Sequence, residues 1–549
     1  MLDSGDWVTA TLDGIPYLEK SPLKYWMIAI SYMIFGVHDW AARIPLALGV
    51  ILLCWLTARF GMWAFPASAG LYSGLIMATC VGLWLFTRVQ IPDAILTLTV
   101  TLAMWGFLRA LDEKEQRPRL WAAVMAASIG TGLLLKGLIA ALFPIGAALL
   151  YLGFTRDLTN RATWRRLHIP SGILIALAIA APWHVLATLR NPPYLDFTMK
   201  SEPGQYHGFF WFYFFNEHLF RFLNMRYPRD YNTVPRTLFW LFHLLWLFPW
   251  SVFLPAVWKV DFKPIDRAGR TCLLALCWIG FLLAFFTFST TQEYYSMPCY
   301  PAFALLIGTA MLSGDRFVRI GSRVLSVIIL GATVAIGFVL WHVWGLPTPG
   351  DISNALTQHP EEYTLSLGHM GDLTLESFAY LRLPLILAGI ACLIGLAGTL
   401  RFRGVRTYLA IAAMMLIFFH AARLALVVFD PYLGSEPLAE ALNRAPEGQL
   451  IVDDQYYAFS SVFFYTNRRA LLLNGRVNNL VYGSYAPGAP DMFIDDAKFK
   501  QLWETPARYY IVCDKTAIRR LSGLVGDDAL HTVVESGGKF VLTNHADLR

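Results

Sequence analysis

Charge is scarce in this chain. Only 15% of its 549 residues are Asp, Glu, Lys or Arg, against 56% hydrophobic and 15% aromatic residues, and the mean hydropathy is +0.49. A soluble enzyme of this length cannot be built from so little charge, and the composition is that of a polytopic membrane protein. A basic run is missing too: the net charge of +6 is spread through short loops, which suits membrane topology better than nucleic-acid binding. Paired cysteines are absent. Cys54, Cys80, Cys272, Cys277 and Cys299, of seven in all, lie mostly inside apolar segments and no CxxC occurs, so neither a disulfide framework nor a thiolate metal site is expected. Met1 is followed by Asp3, Asp6 and Asp13 where a secretory leader would carry a basic region and an apolar core, so no signal peptide is expected there.

What is present is a succession of apolar runs. A spanning window of roughly 20 residues gives about twelve candidate helices: 42–60, 66–87, 92–110, 120–135, 137–154, 171–187, 237–258, 271–290, 294–313, 323–342, 383–400 and 406–429. The run Leu23 to Phe35 is too short to cross and stops at Gly36, so it reads as an interfacial helix with Tyr25 and Trp26 at headgroup depth. Beyond Pro431 the hydropathy falls. Short β-type runs at 449–452, 470–473, 509–512, 531–534 and 540–542, with a hairpin turn at Ser536-Gly537-Gly538-Lys539, predict a small α/β soluble domain. Asp453, Asp454 and Asp514 at strand ends read first as turn formers. The expected organisation is therefore residues 1–41 as an outer loop with an interfacial helix, 42–430 as an all-α polytopic membrane bundle including an outer loop at 188–236, and 431–549 as an extracytoplasmic α/β domain.

Lys and Arg orient the bundle. They concentrate in the linkers after the runs ending near 110, 154, 258, 313 and 400, for example Arg161, Arg165 and Arg166 or Arg401, Arg403 and Arg406, which the positive-inside rule places in the cytoplasm. The linkers 289–294 and 344–381 hold neither Lys nor Arg and face outward. Residues 1–41 then lie outside with nothing to carry them there, so a spanning helix upstream of Met1 is expected.

That topology gathers the rare ionisable residues on one face. Glu19 and Lys20 sit on extended backbone between Pro16 and Pro22; Arg88 and Asp93 flank Pro92; Lys136 sits at a hairpin; Asn216, Glu217, His218 and Arg221 form the polar stripe of an aromatic segment from Phe209 to Phe222. Singly, each has a structural reading: Asp93 as a helix cap, Arg88 snorkelling, His218 hydrogen-bonding, the Glu19–Lys20 loop simply solvated. Together they suit phosphate handling at a membrane surface, with Lys20, Arg88, Lys136 and Arg221 neutralising a phosphate or diphosphate. Glu19 and His218 are an oxygen and a nitrogen donor for a divalent metal cation. Arg423, about two turns inside the last helix, is the one charge out of place.

Taken in order, Ser4-Gly5-Asp6-Trp7-Val8 through Tyr17-Leu18-Glu19-Lys20, Arg88 with Asp93, Leu135-Lys136-Gly137, Ala181-Pro182-Trp183, Glu217-His218-Leu219-Phe220-Arg221-Phe222 and Phe248-Pro249-Trp250-Ser251 resemble the ArnT-type branch of the GT-C membrane glycosyltransferases, grouped with the protein O-mannosyltransferases as glycosyltransferase family 39. The resemblance runs from residue 1 to about 430. It implies a GT-C bundle in the cytoplasmic (inner) membrane that transfers a sugar from a polyprenyl-phosphate carrier to a lipid, such as a lipid A-like molecule, or another envelope acceptor on the outer face. It implies Glu19 and His218 as metal ligands, Lys20, Arg88, Lys136 and Arg221 as donor-phosphate contacts, and Tyr17, Asp93 and Glu217 as cavity residues. The catalytic acidic residue of the family lies in a loop that would precede Met1. Alternatives are a protein O-mannosyltransferase acting on Ser or Thr and, outside enzymes, a lipid-phosphate-sugar binding protein or flippase. Departures bear on substrate: Ser21 and Lys24 stand where the arabinose-transferring members carry Pro and an apolar residue, and Glu293 adds an anion where they carry a cation.

Overall fold

Apolar runs punctuated by proline, glycine and charge fold as helices throughout the first four-fifths of the computed structural model, which describes residues 1–199, 201–202, 204–228, 234–289, 291–356 and 373–547. Parts of the outer linkers expected at 188–236, 289–294 and 344–381 fall outside the described residues. The first elements are α1 (Leu23–Phe35), α2 (Asp39–Ala64), α3 (Ala67–Thr79), α4 (Val81–Phe86), α5 (Asp93–Leu111), α6 (Pro118–Lys136) and α7 (Ile139–Phe154). As expected, α1 stops at Gly36, whose φ of 82° ends a helix without steric cost. Its last residues Met33, Ile34 and Phe35 are exposed and apolar, as an interfacial helix requires.

The expected count of twelve spanning helices falls to nine among the described residues, or ten if one bent pair is a single span. All twelve runs are helical, but three do not make a straight crossing. The run 66–87 breaks at Cys80, whose extended backbone releases the Val81 N–H to donate to the Phe248 carbonyl at 3.0 Å. Close packing holds that break: a Cβ on Gly82 would lie 2.7 Å from Trp246 Cβ and 2.9 Å from the Tyr300 hydroxyl. The run 237–258 bends by 98° between Arg236–Trp246 and Trp250–Lys259, at a junction containing Pro249, which has no N–H for a helical bond. The helix α7 is only 16 residues long. Hydropathy counts apolar residues and is blind to where the backbone leaves the helix. Large apolar side chains such as Phe154, Leu174, Val327 and Trp341 face outward around the bundle, the surface a bilayer would cover.

The C-terminal segment folds as the expected α/β domain. Its strands are β3 (Gln449–Asp453), β4 (Ala470–Leu473), β5 (Phe493–Ile494), β6 (Tyr509–Asp514), β7 (His531–Ser536) and β8 (Lys539–Thr543), after an N-terminal hairpin of β1 (Thr11–Leu12) and β2 (Ile15–Pro16). The sheet order is β5-β4-β3-β6-β8-β7, parallel from β5 to β6 and antiparallel through β8 and β7. Gly537 and Gly538, both at positive φ, make the predicted turn. The two-residue β5 is too short to show in the sequence. Asp453, at the end of β3, is ion-paired with Arg520, and Arg520 also reaches Asp496.

Two apolar contacts are prominent among those that tie this domain to the rest. Ile15 of the N-terminal hairpin is fully buried in the domain's own core beside Leu450, Val452 and Val512. Tyr482 inserts in the other direction, stacked on Phe212 at 3.9 Å, with its hydroxyl donating to the Gly208 carbonyl and accepting from the His207 N–H at 2.9 Å each. Removing so large a buried ring costs about 3–5 kcal/mol. Tyr482→Ala is therefore expected to give the C-terminal domain its own, lower-temperature unfolding transition and faster protease cleavage near residue 434, while a bundle-centred transition stays in place.

Candidate active site

The aromatic segment within the loop expected at 188–236 winds as a π-helix over Trp211–Phe220. Its wider turn sets residues five apart above one another, and the His218 Nδ1–H donates to the Tyr213 carbonyl at 2.6 Å. The other ring nitrogen, Nε2, accepts the Leu138 N–H at 3.0 Å. Gly137 makes this approach possible. It follows α6 at φ 73°, and a Cβ there would collide with His218 Nε2 and lie 2.6 Å from the Tyr213 hydroxyl. The sequence-predicted hairpin at Lys136-Gly137 is thus the seat on which the π-helix rests.

Beneath this joint lies a cavity of about 550 Å³. One end is polar, lined by Glu19, Lys20, Asp93, Lys136, Glu217, His218 and Arg221; the rest is apolar, with Leu142, Phe143, Leu219, Phe222, Phe285 and Phe286. Leu138, Leu142 and Leu219 are each about two-fifths exposed, so the apolar end opens on the outside of the bundle. The polar side chains are paired. Lys20 Nζ lies 2.5 Å from Glu19 Oε1, Lys136 Nζ 2.5 Å from Asp93 Oδ1, and Arg221 Nη1 3.1 Å from Glu217 Oε2. Behind them Arg226, 5% exposed, reaches Glu217 Oε1 at 2.5 Å, Glu19 Oε2 at 3.4 Å and Asn479 of the C-terminal domain at 3.3 Å. Lys136 also lies 5.1 Å and 4.8 Å from the ring centres of Tyr294 and Tyr295.

The four cations outnumber the three carboxylates, so this end keeps one net positive charge when all are ionised. Burial would raise the Glu19 carboxyl, but Lys20, Arg226 and Arg221 around it hold it down at about 2. Burial, with the Glu19 charge adding to it, holds Glu217 above the ordinary range against the opposing Arg226 and Arg221. Two carboxylates share one guanidinium here, and the one hydrogen-bonded to Lys20 is the one shifted down. Burial pushes the His218 imidazole down to about 4, so it is neutral at physiological pH. Two buried carboxylate oxygens, Glu19 Oε2 and Asp93 Oδ2, receive no hydrogen bond and are closed off from solvent within the ion-paired end.

Seven of the nine expected site residues meet here and two do not. Arg88 is exposed on the far side of the loop before α5, with its guanidinium 4.9 Å over the Trp84 ring, and does not line the cavity. Proximity to Asp93 in sequence does not say which way a side chain leaves a loop. Tyr17 sits behind Glu19, its phenol raised by burial and then by that carboxylate. The expected metal pair does not assemble as placed. Both nitrogens of His218 are engaged within the protein, and no group of three His, Cys, Asp or Glu able to hold a metal ion occurs among the described residues. Ser21 does line the cavity, donating to the Leu133 carbonyl at 3.0 Å with the Tyr213 hydroxyl as its partner, whereas Lys24 turns away to the Gln90 carbonyl. Glu293 is buried outside the cavity. The sequence reading missed Arg226 and Tyr213: the first stands in Met225-Arg226-Tyr227 with no motif around it, and the second is one of many aromatics.

An apolar cavity with a cationic, carboxylate-braced end under an extramembrane domain defines a multi-pass membrane protein of the ArnT-like GT-C fold. The chain superposes over its whole length on 92% of ArnT from Cupriavidus metallidurans bound to undecaprenyl phosphate, with a TM-score of 0.76 at 20% identity. Residues 19–185 match the family described as dolichyl-phosphate-mannose-protein mannosyltransferase. Among characterised relatives, an undecaprenyl phosphate-alpha-4-amino-4-deoxy-L-arabinose arabinosyl transferase of Pseudomonas fluorescens Pf-5 is 31% identical over 360 residues, covering 62% of this chain and 55% of that protein. Its counterpart in Pseudomonas aeruginosa LESB58 is 31% identical over 344 residues, covering 59% and 55%. The chain thus spans a little over half the length of the curated relatives it matches. It has the fold of ArnT, and over part of its length it is similar to the arabinosyl transferases and to the mannosyltransferase family.

The neutral His218 carries a pH signature. Its folded value near 4 lies below the unbound 6.5, so the unfolded chain takes up a proton first as pH falls. Stability contributed by this residue is complete above pH 6.5, declines below it and is gone below about 4. The thermal midpoint of the detergent-solubilised protein should fall through that window, and in His218→Gln the same interval should be flatter. Gly137→Ala should lower stability by about 2–4 kcal/mol at any pH, through strain at positive φ and displacement of the ring.

Proposed function

We propose that this protein transfers a sugar from a polyprenyl-phosphate carrier to an acceptor at the outer face of the cytoplasmic membrane, where its C-terminal domain lies. The single observation behind this reading is the cavity, apolar along its length and closed by Lys20, Lys136 and Arg221 at one end. A carrier lipid presents that pair of properties in one molecule. In this reading the tail lies along Leu142, Phe143, Phe222 and Phe285 and the phosphate meets the cations. As an acceptor oxygen attacks the anomeric carbon, the carrier phosphate leaves with the electrons of its bond, and the three cations stabilise the charge it gains. Direct displacement inverts the anomeric configuration. No step is assigned to a metal, because a cation would have to displace the Leu138 N–H from His218.

The positions of Lys and Arg support the orientation, and the names of the arabinosyl transferase relatives support undecaprenyl phosphate as the carrier class. A lipid acceptor follows the resemblance in the sequence, and a protein acceptor, through a Ser or Thr hydroxyl, follows the protein mannosyltransferase family that matches residues 19–185. Loss of one charge-assisted contact of about 1.5–3 kcal/mol is a ten- to hundredfold change. Lys136→Ala and Arg221→Ala should each weaken polyprenyl-phosphate binding in nanodiscs by about that factor, with Arg88→Ala inside twofold of the parent. Equal affinities for all three would remove the cavity from carrier recognition. Turnover of polyprenyl-phosphate sugars with lipid and with Ser/Thr-peptide acceptors then separates the two acceptor classes.

A further inference from the structure

Arg423 remains unexplained by the cavity. It lies five residues before the end of the helix Val405–Val428, about 7–8 Å inside it at the α-helical rise. It shares an exposed stripe with Leu416, His420 and Val427, so it faces lipid and not the bundle. A cation on such a stripe is costly unless an anion meets it.

Two more arginines stand beside it. One helical turn earlier on the same helix, Phe419 stacks on Trp84 at 5.0 Å, and the guanidinium of Arg88 lies over that same Trp84 ring at 4.9 Å. Arg43 of α2 donates to the Arg88 carbonyl at 2.9 Å. Arg88 is held below the usual range first by partial burial and then by the Arg43 and Arg423 charges, the mark of three guanidiniums crowding one place. All three are exposed, and among the described residues none lies within ion-pair distance of a carboxylate, although Asp39 stands one turn before Arg43 on α2. Elsewhere in the extramembrane joint arginines are neutralised, as Arg221 and Arg226 are by Glu217. Here the protein supplies three like charges, a platform of stacked aromatics and apolar neighbours such as Val89, and among the described residues no carboxylate in direct contact; Asp39, Asp430 and Glu436 are grouped with Arg43 around Tyr465 but form no ion pair with it.

We infer that Arg43, Arg88 and Arg423 form a binding site for the phosphate headgroup of an anionic membrane phospholipid, separate from the cavity. The phosphate bridges the three guanidiniums, whose forked donors suit phosphate oxygens. The acyl chains run inward along the stripe past His420 and Leu416 into the bilayer. The site uses no residue of the cavity, so it stands whether or not the transfer reading does. It adjoins that cavity through one short loop, Thr87 to Pro92, with Arg88 on one side and Asp93, at the start of α5, on the other.

The test is lipid retention by the full-length protein. Purified protein is equilibrated with equimolar phosphatidylglycerol and phosphatidylcholine in detergent, and bound lipid is read by native mass spectrometry and by the shift in thermal midpoint. Retained phosphatidylglycerol is expected in excess. Affinity should drop about fivefold for each arginine neutralised, the change that about 1 kcal/mol per surface cation produces. The series is Arg43→Gln, Arg88→Gln and the triple variant with Arg423→Gln, with Arg43→Lys and Arg88→Lys as charge-preserving checks. A control triple, Lys498→Gln, Lys500→Gln and Arg519→Gln on the C-terminal domain, removes the same net charge and should leave retention unchanged. Were the triple variant to misfold, the exposed Arg43→Gln still decides the matter. The proposal is overturned if both lipids are retained equally, if the control lowers retention as much as the arginine series, or if millimolar inorganic phosphate stabilises the protein as strongly as the lipid does.

Discussion

One guanidinium shared by two buried carboxylates holds this molecule's working end together. Arg226 joins Glu19 from the N-terminal loop, Glu217 from the π-helix and Asn479 from the C-terminal domain. Buried ions of either sign are expensive alone, and removing one partner of a buried pair exposes the desolvation cost of the other. The three segments are therefore interdependent: the N-terminal loop cannot move off the π-helix without stranding a charge, and the C-terminal domain cannot undock without loosening the arginine that positions both. The hairpin residue Ile15 inside the C-terminal core and Tyr482 inside the aromatic segment make the same connection with apolar contacts. Electrostatics sets the register of the joint, and burial gives it strength.

Much of this arrangement is legible in the sequence because charge is so rare in it. Where nearly every residue is apolar, Glu19, Lys20, Asp93, Lys136, Glu217, His218 and Arg221 stand out individually, and topology alone brings them to one face. The limits are equally physical. Arg88 has the right residue type and position in sequence, but a loop side chain leaves the backbone in a direction that no linear pattern encodes, and it points to Trp84. His218 has the right chemistry for a metal, but its ring nitrogens are engaged by groups 5 and 80 residues away. Arg226 lacks any distinguishing neighbour, and its role exists only because three distant segments converge on it. The helix count fails for a related reason: hydropathy registers composition, whereas the break at Cys80 is held by the hydrogen bond from Val81 to Phe248 and the bend at 247–249 falls where Pro249 has no N–H to give.

The departures from the arabinose-transferring pattern also sort themselves in space. Ser21 lies within the cavity wall, joined to Tyr213 and the end of α6, and can alter what fits beside Glu19. Lys24 and Glu293 lie outside the cavity, so their charges reach it only through the intervening structure. A change of sign in a motif matters to a substrate according to the side of the wall on which it falls.

The outward-facing apolar mouth, rimmed by Leu138, Leu142 and Leu219, has a kinetic corollary. A ligand entering there arrives from a two-dimensional solvent, so occupancy follows its mole fraction in the surrounding lipid, and aqueous concentration drops out of the rate law. Expanding the bilayer with inert lipid dilutes such a ligand even when the total amount in the tube is unchanged. Saturation of this protein is in that sense a property of membrane composition.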